Sequence, residues 1–310
     1  MNYRMLGNTD LKVSVVGLGT WQYAGDWGKE FTQEEVKDIL GRAAELGFNL
    51  IDTAAGYGIN HLSESLIGES IKGNRDRWVI STKFGNYRTG KGTDSLVRDF
   101  SAKGVAIQLE DSLRALQTDH IDIYLMHCGK TEHIDNDEIW TMLDKAKRDG
   151  KVKHFGLSLL PSADENIIQT RLAIKYGCEV IEALYNHLDR SPEDGLFYVC
   201  KDNNLGVLAR VPLAQGYLSG KYKQGAVFAQ NDMRSRYYDD ATNTERLLRA
   251  EQILSHEVPA GVNPADWSIA WSVKHDAVTA CIPGFKSIEQ LESGARAAEL
   301  VNTDHPLSVK

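Results

Sequence analysis

Four polar side chains sit where apolar runs end, and their types belong together. Asp52 follows Asn49-Leu50-Ile51, Lys83 closes Ile80-Ser81-Thr82, and His127 closes Ile123-Tyr124-Leu125-Met126. Tyr57 lies five residues past Asp52, in Asp52-Thr53-Ala54-Ala55-Gly56-Tyr57-Gly58. A phenol with a pKa of about 10 is a reluctant proton donor near neutrality, and a nearby ammonium lowers that value. Asp52 can pair with Lys83, keep it charged and fix its position. His127 can hydrogen-bond a substrate oxygen and orient it. An acid of this kind, with neither a metal nor a nucleophilic Ser or Cys, suits reduction of a carbonyl by hydride from a bound cofactor. The same groups serve alcohol oxidation in reverse.

Such a set works only if the strands bearing it open on one mouth. Eight short apolar runs recur: Val15–Leu18, Phe48–Ile51, Trp78–Ser81, Ile121–Leu125, His154–Leu157, Val180–Leu184, Gly206–Ala209 and Val278–Ile282. Between and after them lie helical stretches. Glu34 to Leu46 puts Val36, Ile39, Leu40 and Ala43 on one stripe, with Thr32 as N-cap. The others are Ser63–Ile71, Val105–Leu116, Glu138–Arg148, Asp164–Tyr176, Pro192–Cys200, Pro264–Val273 and Ser287–Leu300. Alternation of this kind predicts parallel β-α units. The count points to a (β/α)8 TIM barrel, with a doubly wound open sheet as the rival. Tyr3–Leu6 and Leu11–Ser14 around Gly7-Asn8-Thr9-Asp10 predict an N-terminal β-hairpin. The polar stretch Gln224 to Ala241, with Arg234, Arg236, Tyr237 and Tyr238, would be a long loop at the mouth.

Bulk properties narrow the classes. A barrel needs about 250 residues, and the 310 here read as a single domain over residues 1–310. A net charge of −8 disfavours nucleic acid as a partner. Cys128, Cys178, Cys200 and Cys281 lack C-x-x-C spacing, so no zinc or redox motif is present. Scattered thiols and the lack of a long apolar run predict a cytoplasmic protein without a membrane partner. Gly17-Leu18-Gly19 is no dinucleotide fingerprint, since Gln22 stands at the third glycine and no helix opens there. Clustered ligands for a metal-dependent barrel hydrolase are not found.

The motifs taken together resemble the aldo-keto reductase family, in its bacterial, NADP(H)-dependent type, over nearly the whole chain. Asn49 to Ser70 is similar to the family's Asp-Thr-Ala…Tyr-Gly…Glu…Leu-Gly signature. Thr82-Lys83-Phe84-Gly85 resembles the lysine motif, and Asp119 to His127 the histidine strand. Pro212 to Tyr222 resembles a cofactor loop, and Ile282-Pro283-Gly284 with Gln290-Leu291-Glu292 the eighth-strand motif. The resemblance implies catalytic roles for Asp52, Tyr57, Lys83 and His127 and an NADP(H) cofactor across the mouth, NAD(H) not being excluded. Gly19, Thr20 and Trp21, beside Asp52, would face the nicotinamide and substrate, and Ser158 the carboxamide. Pro212, Leu213, Ala214, Gln215 and Lys221 would follow the pyrophosphate. Lys286, after Gly284 and with Gln290 nearby, would meet the 2′-phosphate.

Five positions depart from the family pattern. Leu159 stands where Asn is frequent, Glu182 where Gln is common, and Arg210 where an aromatic stacks on the nicotinamide; Ser293 and Gly294 replace Glu and Asn. Glu182 and Arg210, on neighbouring strands, are expected to form an ion pair beneath the nicotinamide, because either charge buried alone is costly. The implied partner is a small carbonyl or alcohol; sugar-like, aliphatic and aromatic carbonyls stay open, and oligomeric state has no code here. A rival function is a cofactor-sensing regulatory subunit of the same fold with little turnover.

Overall fold

The chain begins with a hairpin, β1 (Tyr3–Met5) and β2 (Lys12–Ser14), paired antiparallel with Tyr3 opposite Ser14. The barrel strands and helices then alternate: β3 (Leu18–Gly19), α1 (Gln33–Glu45), β4 (Leu50–Asp52), α2 (Leu62–Ser70) and β5 (Val79–Phe84). A second hairpin, β6 (Asn86–Arg88) and β7 (Leu96–Arg98), precedes α3 (Ala102–Ala115). The order continues with β8 (Ile121–His127), α4 (Thr131–Ile134), α5 (Asp137–Arg148), β9 (Val152–Ser158), α6 (Ala163–Lys175) and β10 (Val180–Leu184). Next come α7 (Leu196–Asp202), β11 (Gly206–Arg210), α8 (Ala241–Glu257), α9 (Pro264–Lys274), β12 (Ala280–Ile282) and α10 (Ile288–Leu300). This computed structural model describes residues 1–90, 95–223, 225–226, 228–230, 232–236 and 241–301, without the side chains of Ala163, Arg236, Ala241 and Thr242.

Eight strands pair in parallel in the order β3-β4-β5-β8-β9-β10-β11-β12. The ends meet: Gly17 N donates to Cys281 O at 2.8 Å and Cys281 N to Val15 O at 3.0 Å, so the sheet closes and the open-sheet rival falls. Thr32 caps α1 as expected, in a capping box with Glu35. The stripe Val36, Ile39, Leu40 and Ala43 is buried, as are most helix faces turned to the barrel.

Between β5 and α3 the β6–β7 hairpin pairs Asn86 with Arg98. Two readings need correction. Of the long loop, Met233–Arg236 forms a short turn, and α8 starts at Ala241, where no helix was expected. Leu247, Ala250 and Ile253 bury one face of α8 at a spacing of three, a periodicity the sequence does carry. Tyr237 and Tyr238 lie outside the described residues. The stretch from Pro192 is not one helix either, because Gly195 at φ 157° separates a short turn, Ser191–Asp194, from α7.

The hairpin stoppers the barrel floor. Leu6, Leu11 and Val13 pack with Leu50, Ile123, Leu125, Val180, Leu208, Ala280 and Ile282 inside the barrel. The fit is tight at Gly7, φ 56°, where a Cβ would stand 2.2 Å from Gly206 N, and at Gly206, where it would stand 2.5 Å from Leu6 Cγ. His154 fastens the turn: Nε2 lies 2.8 Å from Asp10 Oδ1 and Nδ1 2.9 Å from Glu179 Oε2.

Burial works against a charge on His154, but the bonds to Glu179 and Asp10 prevail and raise its pKa, while those of the two carboxylates fall. A histidine whose pKa is raised on folding contributes stability fully present below its unfolded value of about 6.5 and lost as pH climbs through the folded value. Both carboxylates remain ionised in that window. His154→Gln is therefore expected to lower Tm more at ~pH 5.5 than at ~pH 9, read by thermal unfolding in matched ionic strength; an equal loss at both would contradict the linkage.

Candidate active site

Ser81 and Lys83, two apart on β5, share the barrel's inner face. Ser81 pairs with Asp52 of β4, so both side chains reach that carboxylate. Lys83 Nζ lies 2.6 Å from each Asp52 oxygen and donates to Thr53 O at 3.0 Å, while Ser81 Oγ donates to Asp52 Oδ2 at 2.9 Å. From across the barrel, Glu182 Oε2 comes within 3.1 Å of the same ammonium. Ser158 Oγ donates to Glu182 Oε1 at 2.8 Å. Asp52, Lys83, Ser158 and Glu182 are all buried.

The expected Glu182–Arg210 pair exists only as a loose contact. Arg210 Nε stands 3.8 Å from Glu182 Oε1, while Nη2 donates to Leu159 O at 2.8 Å. Lys83 is the nearer cation, a contact the sequence did not announce because β5 and β10 are not neighbours. The core then holds two cations, Lys83 and Arg210, against two carboxylates. Burial and the Glu182 charge raise Asp52 against the pull of Lys83. Glu182 goes down despite burial, drawn by Lys83 and Arg210. Two carboxylates facing one ammonium titrate as a unit, each ionisation opposing the other. Lys83 is held well above the ordinary lysine value by Asp52 and Glu182, although burial opposes it.

Tyr57 and His127 complete the mouth. Their rings meet edge to face at 5.9 Å, and Lys83 Nζ is 5.4 Å from the Tyr57 ring centre. Trp21 stacks on Tyr57 at 6.1 Å and meets Trp27 edge-on at 5.0 Å. Burial moves the Tyr57 phenol above its ordinary value, outweighing Lys83, with Asp52 and Glu182 adding to the rise. Lys83 does pull the phenol toward phenolate, as expected, but burial outweighs it. Burial and then Lys83 push His127 down to about 3, so the ring is neutral at any working pH. Its Nδ1 is buried without a hydrogen-bond partner.

The remaining expected cofactor residues divide. The Thr20 hydroxyl is committed to Asp52 O at 2.9 Å and receives a bond from Ser63, so it braces the strand end. Gly19 leaves no room for a side chain, since a Cβ would stand 2.6 Å from Ile282 O. The space beside Gly284 is filled by Gln22, whose Nε2 is 1.2 Å from where a Cβ would be. Pro212 and Ala214 are buried and Leu213 and Gln215 half-buried, with Val211, Ala214 and Gln215 at φ 59°, 47° and 53°. A β-branched residue there is strained, and such strain gathers at functional loops. Lys221 is exposed. Gln290 accepts from Lys286 N at 2.8 Å.

Lys286 sits in a cationic neighbourhood that the sequence reading only half foresaw. Its ammonium donates to Trp27 O, and burial, Arg234, Lys221 and Lys29 push its pKa down to about 8, with Asp232 opposing. Asp232 holds Arg234 through Nε at 2.9 Å and pairs across to Trp27. Two features fit a nicotinamide dinucleotide. Glu182 Oε2 is a buried acceptor without a hydrogen-bond donor, suited to an amide N–H. Crowded cations depress one another and invite an anion such as a phosphate.

Comparison with known proteins agrees with this arrangement. The model of the aldo/keto reductase family matches residues 15–307. The chain is 30% identical over 301 residues to the uncharacterized oxidoreductase YqkF of Bacillus subtilis, covering 96% of this chain and 91% of that one. It is 28% identical over 320 residues to the NADH-specific methylglyoxal reductase of Escherichia coli, covering 96% and 94%. The holo form of an aldo-keto reductase from Bacillus halodurans superposes with a TM-score of 0.78 at 29% identity, covering 96% of this chain and 91% of that one.

Removing Lys83 would strand two buried carboxylates. Lys83→Met is expected to cost about 3–5 kcal/mol in urea unfolding, and a smaller amount when Glu182→Gln is already present. An unchanged unfolding midpoint would show that the ion cluster is not part of what holds the barrel.

Proposed function

The chain belongs to the aldo/keto reductase family of oxidoreductases, and we propose that it reduces small aldehydes or ketones with NADP(H), Tyr57 giving the proton. The observation that carries this reading is the approach of Tyr57, His127 and Lys83 at one mouth, with Asp52 beneath. When bound, the nicotinamide supplies the hydride. Neutral His127 orients the carbonyl oxygen toward Tyr57, and a phenol held above its ordinary pKa stays protonated until that oxygen gains charge. Lys83, always charged, stabilises the phenolate left behind, and Asp52 fixes Lys83. Trp21 and Trp27 give the mouth an aromatic wall that keeps water from the reacting atoms.

On the cofactor side, Glu182 and Ser158 take the carboxamide, Gly19 and Trp21 flank the ring, and the strained loop from Pro212 to Gln215 with Lys221 follows the pyrophosphate. Lys286, with Gln290 setting its backbone, meets the 2′-phosphate, and Gly284 makes room for the Gln22 side chain nearby. NADP(H) is favoured over NAD(H) by the crowded cations around Lys286. A cytoplasmic setting goes with this cofactor pool. The rival, a sensing subunit with little turnover, has no observation in its favour.

Tyr57→Phe is expected to lower the rate of aldehyde reduction by ~10²–10⁴-fold with cofactor affinity nearly unchanged. Near-normal turnover in a variant whose chemical step limits the rate would remove Tyr57 from the role. Lys286→Ala should weaken NADPH by about tenfold or more, as loss of a charged hydrogen bond does, and NADH far less. Fluorescence titration of both cofactors checks this; equal weakening of the two would rule out a 2′-phosphate contact.

A further inference from the structure

Lys83 has two carboxylates where one would neutralise it. Asp52 alone meets its ammonium with both oxygens at 2.6 Å. Glu182 adds a second negative charge at 3.1 Å, is 1% exposed, and makes no hydrogen bond through that oxygen. Its other oxygen is pinned by Ser158 at 2.8 Å, so the charge cannot swing away from Lys83. A buried carboxylate in this position is costly unless it is balanced. Arg210, 3.8 Å off, supplies the balance from the far side.

We infer that Glu182 is a second counter-ion of Lys83 and sets the acidity of Tyr57, with Arg210 as its offset. The phenol feels the sum of the charges around it. Lys83, 5.4 Å from the Tyr57 ring centre, favours phenolate. Asp52 cancels much of that field, and Glu182 cancels more. The groups facing Glu182 are Asp52 from β4, Tyr57 from the loop after it, Lys83 from β5, His127 and Cys128 from β8, Ser158 from β9 and Arg210 from β11. His127 is neutral and Cys128 is pushed up by burial, so neither adds charge. The signs agree with the inference: Asp52 and Glu182 raise the phenol, whereas Lys83 and Arg210 lower it. Glu182 thus acts as a positioning residue that works through Lys83, holding the proton on Tyr57 in the resting protein. Its use in carbonyl reduction rests on Tyr57 being the acid; the electrostatic claim does not.

The test is a titration of Tyr57 in the 310-residue protein, without added ligand and labelled with ¹³Cζ-tyrosine, its resonance identified as the one lost in Tyr57→Phe. Glu182→Gln keeps the shape and removes the charge; Glu182→Met removes the hydrogen bond as well. Both should lower the Tyr57 midpoint by about one unit or more, so that phenolate forms where the wild type is still phenol. Adding Arg210→Met to Glu182→Gln should raise the midpoint again. Circular dichroism defines the pH range in which each protein is folded. Equal midpoints in wild type and both Glu182 variants, or phenol in all three throughout that range, would overturn the inference. A midpoint that Arg210→Met leaves unmoved or lowers would overturn the offset. Failure of the acid assignment would show instead as turnover in Tyr57→Phe, with this titration unaffected.

Discussion

An ammonium with no access to water is the constraint around which this molecule is arranged. Lys83 is fully buried, and a charge in that position stands only if its surroundings repay the lost hydration. Asp52 at the end of β4 and Thr53 just after it do so, and Glu182 does so from β10. These strands face each other only because the sheet closes on itself through Val15, Gly17 and Cys281. Barrel closure and the charge cluster therefore support one another, since an open sheet would leave Glu182 without its cation. The neutrality of the set also explains two departures from the family pattern together. A carboxylate in place of an amide at 182 adds a negative charge, and a guanidinium in place of an aromatic at 210 removes it.

What could be read from the chain was whatever depends on neighbours in sequence. Apolar runs ending in Asp52, Lys83 and His127 carry both the barrel and the gathering of those residues at one end. Thr32 as a cap and the Gly7–Asp10 turn are local chemistry and were legible for that reason. Contacts made through space were not. The approach of Lys83 to Glu182 spans the barrel interior, and the direction in which Tyr57 shifts depends on burial, which no spacing encodes. Adjacent strands did place Glu182 beside Arg210, yet the guanidinium turns to the Leu159 carbonyl and leaves the pair loose. Helix α8, which begins where the polar stretch ends, was missed although its periodicity is readable.

The surroundings of Lys286 are built differently from those of Lys83. Around Lys83 every charge has an opposite in contact. Around Lys286 the cations Lys29, Lys221 and Arg234 outnumber the single Asp232 among the groups that shift it, and the ammonium is depressed accordingly. The loop after β11 carries its left-handed residues at Val211, Ala214 and Gln215, a strain that local packing maintains through the Asn186 bond to Val211 O at 3.0 Å.

The hairpin beneath the barrel has a consequence for how hydrogen ions travel. With Leu6, Leu11 and Val13 packed into the floor, the hairpin end of the barrel is filled by apolar side chains. The tight seat of Gly7 on Gly206 keeps that stopper from lifting. On the proposed chemistry, a proton that reloads Tyr57 would have to arrive from the mouth and not from the floor. Whatever covered the mouth would then also slow proton exchange between Tyr57 and the solvent.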